Sequence, residues 1–345
     1  MIFDRNIDDA AAIQPHKILG AGALLRRNAH AYYVDYIYGS DNNSGRSPSR
    51  AKQTIQAAVT AAGAWDTVYV FRRTSEATGT DPYNYAETII IPRANEGMSL
   101  IGVGAGRTQG GWPQIRKGSG STALLTVRAP GCLIANLGFN ASSSTGGGIL
   151  LDDDAGATKT AFGTVIQNCH FKNCVGSTAT NSATGGAIQW STNGQANQVL
   201  IRGNRFYKNV GDIVLLGTSN AVPQDVVIED NIFSGPAANV DCNLYLAGGT
   251  GMNGVIIKGN YFTAKPALSS GVNNKFMVLT GCVGLLANNY FATLTCEGGS
   301  QLTFGADSGC TGAVVPTTVF MAGNYGEVTT GTGAGLETGE VFRTT

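Results

Sequence analysis

The chain has 345 residues, no net charge at neutral pH and 13% charged residues, about half the share of roughly 25% in an average globular protein. A neutral chain without a dense run of lysine or arginine is not expected to bind nucleic acid, and no apolar run approaches the roughly 20 residues of a membrane-spanning helix. The 48 glycines and 43% hydrophobic residues favour many short strands and tight turns over disorder.

Residues 1–32 precede any repeated pattern and begin with charged residues where a signal peptide would be apolar. We therefore expect the chain to be made and folded in the cytosol. The segment is interpreted as an arm that docks on a larger assembly, with a disordered leader as the alternative. Seven cysteines at irregular spacings predict free thiols. Because no Cys-x-x-Cys pair or nearby histidine accompanies them, we predict no metal and no cofactor.

The first elements after the arm are predicted to be a strand, a helix and three further strands. Residues 32–35 are typical of a strand. Apolar residues at helical spacing over 53–62, followed by a glycine, predict a short helix. β-branched and aromatic residues predict strands over 67–71, 88–92 and 99–104.

A six-residue repeat, Ile-x-x-Asn-x-Phe, organises the rest of the chain. Its asparagine recurs every 27 to 35 residues, a period that indicates stacked coils. Copies lie at 201–206, 228–233, 257–262 and 286–291, with weaker forms at 134–139, 166–171 and 321–326.

Two apolar elements are predicted to alternate along these coils. The first carries the repeat and is also assigned to 123–127. The second follows about ten residues later, at 148–151, 187–190, 213–217 and 276–281. Such short strands between Gly, Asn and Pro turns do not suit a β-sandwich, whereas parallel stacking with about 4.8 Å between coils accounts for them.

Six short runs between residues 33 and 104 follow one another in a characteristic order: Tyr33-Val-Asp, Gly39-Ser-Asp41, Ser47-Pro48, Thr54-Ile55-Gln56-Ala57-Ala58, Asp66-Thr67-Val68-Tyr69-Val70 and Leu100-Ile101-Gly102. This order resembles the first segment of right-handed parallel β-helix proteins of the pectate-lyase-like superfamily. One departure is Phe71-Arg-Arg, with a longer insertion through 81–82, where relatives usually have Pro-Gly.

The resemblance implies an all-β fold, a single-stranded right-handed parallel β-helix over 33–327. The predicted helix at about 53–62 would plug the open end of the first coil. The arm, residues 1–32, would precede the β-helix. A Gly/Thr-rich tail, residues 328–345, would follow it and cover the last coil, cross to a neighbour or remain flexible.

The repeated asparagines and phenylalanines are interpreted as a structural ladder. An asparagine at a sharp turn adopts a left-handed conformation at low cost, and its amide both donates and accepts hydrogen bonds up the stack. The phenylalanine returns to the interior and stacks on its counterparts. The predicted ladder comprises Asn204, Asn231, Asn260, Asn289 and Asn324 with Phe206, Phe233, Phe262 and Phe291.

Few residues are candidates for catalysis. Asp152, Asp153 and Asp154 form the tightest acidic cluster and are weak catalytic candidates; a solvated turn is the favoured interpretation, and a Ca²⁺ site is the less favoured one. Glu229 and Asp230 are weaker candidates. Arg202, Glu229 and Lys258 hold the same position in successive repeats, and this alternation of charge predicts an ion ladder on the surface. Glycoside hydrolysis needs two carboxyl groups roughly 5 to 9.5 Å apart, and no such pair is evident. Further acidic residues that could line one face are Asp212, Asp241 and Glu297, and His170 is expected at the surface.

Several aromatic residues are expected on the outer surface. The binding candidates are Tyr207, Tyr261, Tyr290 and Trp190, and the same expectation covers Tyr83, Tyr85 and Tyr245. Tyr261 and Tyr290 hold the same position in successive repeats and are predicted to stack. Such a surface suits sugar binding or an oligomer interface, and we favour the interface.

The overall type resembles β-helical virion proteins of tailed bacteriophages, namely tailspikes and capsid spikes or decoration proteins. That resemblance implies a homotrimer on the virion surface, assembled in the host cytoplasm. It would be attached to capsid or tail proteins through residues 1–32 and could contact a host cell-surface glycan. The alternative is a polysaccharide lyase or glycoside hydrolase of the tailspike depolymerase type, which the poor inventory of catalytic residues disfavours.

Overall fold

The computed structural model describes residues 29–72, 84–104, 112–116, 120–142, 145–152, 161–174, 186–191, 196–215, 223–234, 242–246, 252–263, 275–292, 303–305, 311–329, 336–340 and 343–344. Within these ranges the chain forms three ten-stranded sheets, one α-helix and one 3-10 turn, Pro48–Arg50. We call the sheets A, B and C and number the strands in chain order.

Sheet A contains β1 (Ala31–Val34), β2 (Thr67–Phe71), β5 (Ser99–Val103), β8 (Leu133–Ala135), β11 (Val165–Gln167), β14 (Leu200–Arg202), β17 (Val227–Glu229), β20 (Met252–Lys258), β23 (Cys282–Ala287) and β27 (Val319–Ala322). Sheet B contains β3 (Asn84–Tyr85), β6 (Gln114–Ile115), β9 (Gly138–Asn140), β12 (His170–Lys172), β15 (Arg205–Tyr207), β18 (Ile232–Ser234), β21 (Tyr261–Phe262), β24 (Tyr290–Phe291), β28 (Tyr325–Thr329) and β29 (Leu336–Glu340). Sheet C contains β4 (Ile89–Ile91), β7 (Leu125–Val127), β10 (Ile149–Leu151), β13 (Ile188–Trp190), β16 (Ile213–Leu215), β19 (Cys242–Tyr245), β22 (Lys275–Val278), β26 (Thr311–Val314), β25 (Thr303–Gly305) and β30 (Arg343–Thr344).

Neighbouring coils lie in register, so each residue stacks on its counterpart in the next coil. In sheet A, Ile166 pairs with Ile201, which pairs with Ile228, and all three are fully buried. Alternate residues of a strand point to opposite faces, so this column fills the interior while its neighbours face outward. The predicted all-β, right-handed parallel β-helix is confirmed.

Each complete coil contains three strands, not the two predicted. The isoleucine and the phenylalanine of one repeat belong to different strands, β14 and β15, which only Gly203 and Asn204 separate. The two strands therefore look like one apolar element in the sequence. The segment 123–127 was also assigned wrongly: it contains β7 and belongs to sheet C.

The corner between sheets A and B is made by the residue before each ladder asparagine. Asp230 has φ 56°, and Gly259 in the next coil has φ 65°. Asn231 and the other ladder asparagines do not have positive φ, so the prediction that they adopt the left-handed conformation was wrong. Glycine suits this corner for a second reason, because a Cβ on Gly259 would lie 2.5 Å from Oδ1 of Asp230.

The asparagine ladder itself is confirmed. Oδ1 of Asn231 accepts hydrogen bonds from the backbone N–H of Asn204 at 2.9 Å and from its Nδ2 at 3.0 Å. Nδ2 of Asn231 donates to the carbonyl oxygen of Ile201 and to Oδ1 of Asn260, both at 3.0 Å. The same pattern continues to Asn289 and Asn324, and all five amides are buried.

The phenylalanines form a continuous interior stack beside the amides. Ring centroids of successive coils lie 4.7 to 5.1 Å apart and the rings are within 12° of parallel. The stack includes the four predicted rings and two from the weaker repeats: Phe139, Phe171, Phe206, Phe233, Phe262 and Phe291. Asn and Phe together hold adjacent coils at a fixed spacing, which makes the surface of the rod a regular array.

The predicted capping helix is α1, Ile55–Ala61. Oγ1 of Thr54 accepts a hydrogen bond from the N–H of Ala57 at 3.2 Å and caps its first turn. The Glu87 carboxylate accepts the N–H groups of Ile55 at 2.8 Å and Gln56 at 2.9 Å. Burial raises the pKa of Glu87 above its ordinary value, although these two backbone hydrogen bonds lower it.

The β-helix extends beyond the boundaries that were predicted for the arm and the tail. Sheet A begins at Ala31, so the last two residues of the predicted arm belong to the β-helix, and residues 1–28 lie outside the described ranges. In the predicted tail, β29 pairs antiparallel with β28, and β30 pairs with β25. The tail thus adds strands to sheets B and C.

Four cysteines with described side chains, Cys132, Cys169, Cys174 and Cys282, are buried free thiols, as predicted. Burial raises the pKa of Cys132, Cys169 and Cys282 to about 12, so these thiols are poor nucleophiles. Across the described ranges, no helix has the length and apolar character needed to cross a membrane.

Candidate functional site

A groove lies on the outer face of sheet C, beside α1. It has a volume of about 630 Å³, within the range usual for ligand sites. We call it the sheet C groove; it is lined by Gln56, Thr88, Ile90, Ser121, Thr122, Ala123, Thr126, Arg128, Gly146, Leu150, Asp152 and Gln189.

The floor of the sheet C groove is one outward column of four successive coils. Ile90 pairs with Thr126, Thr126 with Leu150, and Leu150 with Gln189. Their strand neighbours point inward and are buried. The floor therefore alternates apolar and polar groups, and Ile90 is 41% exposed.

Two glutamines form hydrogen bonds to backbone groups of the residues that line the groove. Oε1 of Gln56 accepts the N–H of Ile90 at 2.7 Å, and its Nε2 donates to the carbonyl oxygen of Ile90 at 3.4 Å, which ties α1 to β4. Nε2 of Gln189 donates to the carbonyl oxygen of Gly146 at 2.6 Å. The groove is therefore fixed by hydrogen bonds within the chain and is formed before any ligand arrives.

An ion pair lies at one side of the floor. Nε of Arg128 is 2.7 Å from Oδ2 of Asp152, and the two side chains are 36% and 14% exposed. Asp152 is the single carboxylate among the described residues of the groove, and it is neutralised by its partner. Asp153 and Asp154 lie outside the described ranges. Among the described residues, no group of three or more His, Cys, Asp or Glu side chains could hold a metal ion.

The other acidic candidates lie on a different face. Glu229 is in sheet A, where Oε2 pairs with Nζ of Lys258 at 3.0 Å, and Asp230 forms the corner beside it. Arg202 does not continue this pair; Nε and Nη2 donate to Oε1 of Gln167 at 3.0 and 2.8 Å. The predicted ion ladder is thus one ion pair and one polar pair.

The aromatic candidates have mixed outcomes. Tyr261 and Tyr290 lie next to each other as predicted, with ring centroids 4.9 Å apart, but the ring planes are tilted by 31°. Tyr207 is exposed. Trp190 was expected at the surface but is fully buried, with Nε1 donating to the carbonyl oxygen of Ala196 at 3.0 Å. Tyr85 is buried as well, so the expectation of exposure was wrong for both. Tyr83 lies outside the described ranges, and Tyr245 is half-buried.

One exposed tyrosine was missed. Tyr325 pairs with Tyr290 in sheet B and is 47% exposed, so it extends the tyrosine column by one coil. The repeat fades here because Gly326 replaces the phenylalanine, but the tyrosine after Asn324 was a visible signal.

Asp212 was named from the sequence, but its place in a buried polar cluster inside the β-helix was not predicted. The carboxylate of Asp212 accepts hydrogen bonds from Nδ2 of Asn209 at 2.8 Å and Nδ2 of Asn243 at 2.7 Å. Burial raises the pKa of Asp212 to about 7, although both hydrogen bonds lower it. Oδ1 of Asn243 is buried and has no hydrogen-bond partner among the described residues.

His170 is half-buried rather than fully at the surface. Burial, followed by the charges of Lys172 and Arg205, lowers its pKa to about 4. The imidazole is therefore neutral at physiological pH and adds no charge to the outer face of sheet B.

No protein-family model and no curated protein matches the sequence. Solved structures similar in fold include a GH136 lacto-N-biosidase from Eubacterium ramulus, 12% identical, with a TM-score of 0.40 over 89% of this chain and 70% of that one. A rhamnogalacturonan lyase is 13% identical, with a TM-score of 0.42 over 85% of this chain and 73% of that one. At these values the likeness concerns the fold alone.

Proposed function

We propose that this protein is a β-helical spike that binds a carbohydrate chain in the sheet C groove without cleaving it. The observation that carries the proposal is the groove itself, preformed and lined by both apolar and hydrogen-bonding side chains. Its proposed setting is the surface of a tailed bacteriophage, with the residues before β1, 1–30, as the attachment to capsid or tail.

The lining of the groove fits the chemistry of a sugar. A sugar ring presents C–H groups on its faces and hydroxyl groups around its edge. Ile90 and Leu150 offer apolar contact to the faces, while Thr126 and the ion pair of Arg128 and Asp152 offer hydrogen-bonding groups at the edges. Sites of this kind take their affinity from apolar area and their orientation from a few polar groups.

Binding is favoured over cleavage because the described part of the groove lacks a catalytic pair. Both retaining and inverting glycosidases need two carboxyl groups. Asp152 has an arginine at 2.7 Å, and the acidic residues Glu229 and Asp230 belong to sheet A and its corner.

We expect fragments of bacterial capsular polysaccharide or lipopolysaccharide to bind the protein and Leu150→Trp to weaken that binding at least tenfold, because the indole fills the floor of the groove. Ile232→Trp is the matched control, since Ile232 is an equally half-buried outward residue in sheet B. Titration calorimetry measures both affinities. Absence of binding by the unmodified protein, or an unchanged affinity in Leu150→Trp, would contradict the proposal.

Cleavage is the second candidate, and Asp152 in the groove is the observation that favours it. The same polysaccharides should then release reducing ends or unsaturated sugars, and Asp152→Asn should abolish the release. Turnover that depends on Asp152 would replace the binding proposal with a depolymerase.

A further inference from the structure

The outer face of sheet A carries an unbroken apolar column along seven successive coils. Each member pairs with the next in register. Six are half-buried and the last is 69% exposed. We call this column the apolar stripe; it consists of Leu133, Val165, Leu200, Val227, Ile256, Leu285 and Phe320.

Other outward columns in the same coils contain both polar and apolar side chains. The second outward column of sheet A contains the polar pair of Gln167 with Arg202 and the ion pair of Glu229 with Lys258. The first outward column of sheet B runs through His170, Arg205, Ile232, Tyr261 and Tyr290. Packing inside the rod does not require seven aliphatic or aromatic side chains on its outside, so the apolar stripe indicates a contact surface.

The stripe runs along most of sheet A, beside a column of polar and charged side chains. Seven strands spaced about 4.8 Å apart give the stripe a length of about 29 Å. The charged side chains of this column already have partners within the chain, because Glu229 binds Lys258 at 3.0 Å and Nη2 of Arg202 donates to Gln167 at 2.8 Å. Covering this face would therefore leave none of these charged side chains without a hydrogen-bonding partner.

The spacing of the stripe identifies the occupant. Its side chains form ridges at the spacing of the coils, about 4.8 Å. A second copy of the same β-helix presents ridges at the same spacing over the same length, so the ridges of one rod fit between those of the other. We propose that copies of this chain associate side by side through the outer face of sheet A, stripe against stripe.

The test is the mass of the full chain in solution by light scattering after size exclusion. The unmodified protein is expected at a multiple of 35.7 kDa. The double variant Val227→Lys, Ile256→Lys is expected at the mass of one chain, because it places two charges in the stripe. Ile232→Lys, in the same coil but in sheet B, is the control and is expected to stay assembled.

Two results would overturn the proposal. One is a single-chain mass for the unmodified protein, in which case residues 1–28 or an unrelated protein cover the stripe. The other is an unchanged assembly of the double variant. If the lysine variants do not fold, Val227→Cys treated with a thiol cross-linker tests the interface instead. We expect a link between the two side chains at position 227 of two copies. Absence of this link would reject the interface. Neither readout depends on carbohydrate binding.

Discussion

Replacing Asn231 by leucine is expected to destabilise the protein by about 4 kcal/mol, since a buried donor and a buried acceptor that lose their partners cost about 1–3 kcal/mol each. The backbone N–H of Asn204 loses Oδ1 of residue 231, and the carbonyl oxygen of Ile201 loses its Nδ2. Nδ2 of Asn204 and Oδ1 of Asn260 also lose a hydrogen bond to the side chain of residue 231, but each of these atoms keeps one other partner. The free energy of unfolding from denaturant titration measures the effect.

Asn253→Leu is the matched control. Asn253 is an exposed asparagine of sheet A and receives the same substitution without touching the ladder, so its stability should change little. Hydrogen exchange adds a spatial test. Because each coil contacts only its neighbours, the loss of protection in Asn231→Leu should centre on 201–206 and 228–233. Equal stability of the two variants would contradict the ladder, and a changed carbohydrate affinity would contradict its purely structural role.

The ladder shows why so much of this fold was predictable. In a parallel stack, a residue type needed at one position of a coil is needed again at the same position of the next coil. Phe171 was recognisable as part of the stack even though Cys169 replaces the asparagine in its repeat. The period alone then implied stacked coils and an interior position for the phenylalanines.

Local geometry within the coil was harder to predict. The residue with positive φ precedes the asparagine, as in Asp230 before Asn231. Its column contains Gly, Asp and Asn, which are the residues that tolerate this conformation, so a signal was present beside the more conspicuous asparagine. Trp190 was misplaced because it was considered alone. Its partners in register are Leu151 and Leu215, which indicate an interior column.

The sheet C groove could not be predicted because its floor is assembled across coils of unequal length. Ile90, Thr126, Leu150 and Gln189 are separated by 36, 24 and 39 residues, so no fixed period connects them. Variable loops between the strands change the sequence spacing without changing the register. Only pairing of strands β4, β7, β10 and β13 brings these side chains onto one face.

Raising the pH from about 4 to above 7 is expected to reduce stability through Asp212, by on the order of 4 kcal/mol for a pKa that rises from 3.8 unfolded to about 7 folded. Between these values the folded protein binds one more proton than the unfolded chain. The contribution is therefore complete below pH 3.8, falls across the window and is lost above about pH 7. Urea titrations across this range measure it.

Asp212→Asn should remove this pH dependence while preserving the cluster. Its Oδ1 accepts from Asn209 as the carboxylate does, and its Nδ2 faces Asn243, whose Oδ1 lacks a partner among the described residues and accepts after a flip of the amide. The variant should match the unmodified protein near pH 4 and exceed its stability at pH 8.

The comparison between the two proteins isolates Asp212 from the other shifted groups. His170, with its pKa lowered to about 4, acts in the opposite direction, because the folded state resists its protonation and stability falls as the pH drops below 6.5. Glu87 acts in the same direction as Asp212. Both groups are present in both proteins and cancel in the difference. The contradicting result is a stability difference between Asp212→Asn and the unmodified protein that is the same at pH 5 and pH 8. It would show that Asp212 is ionised throughout this range and that Asn209 and Asn243 stabilise a buried carboxylate.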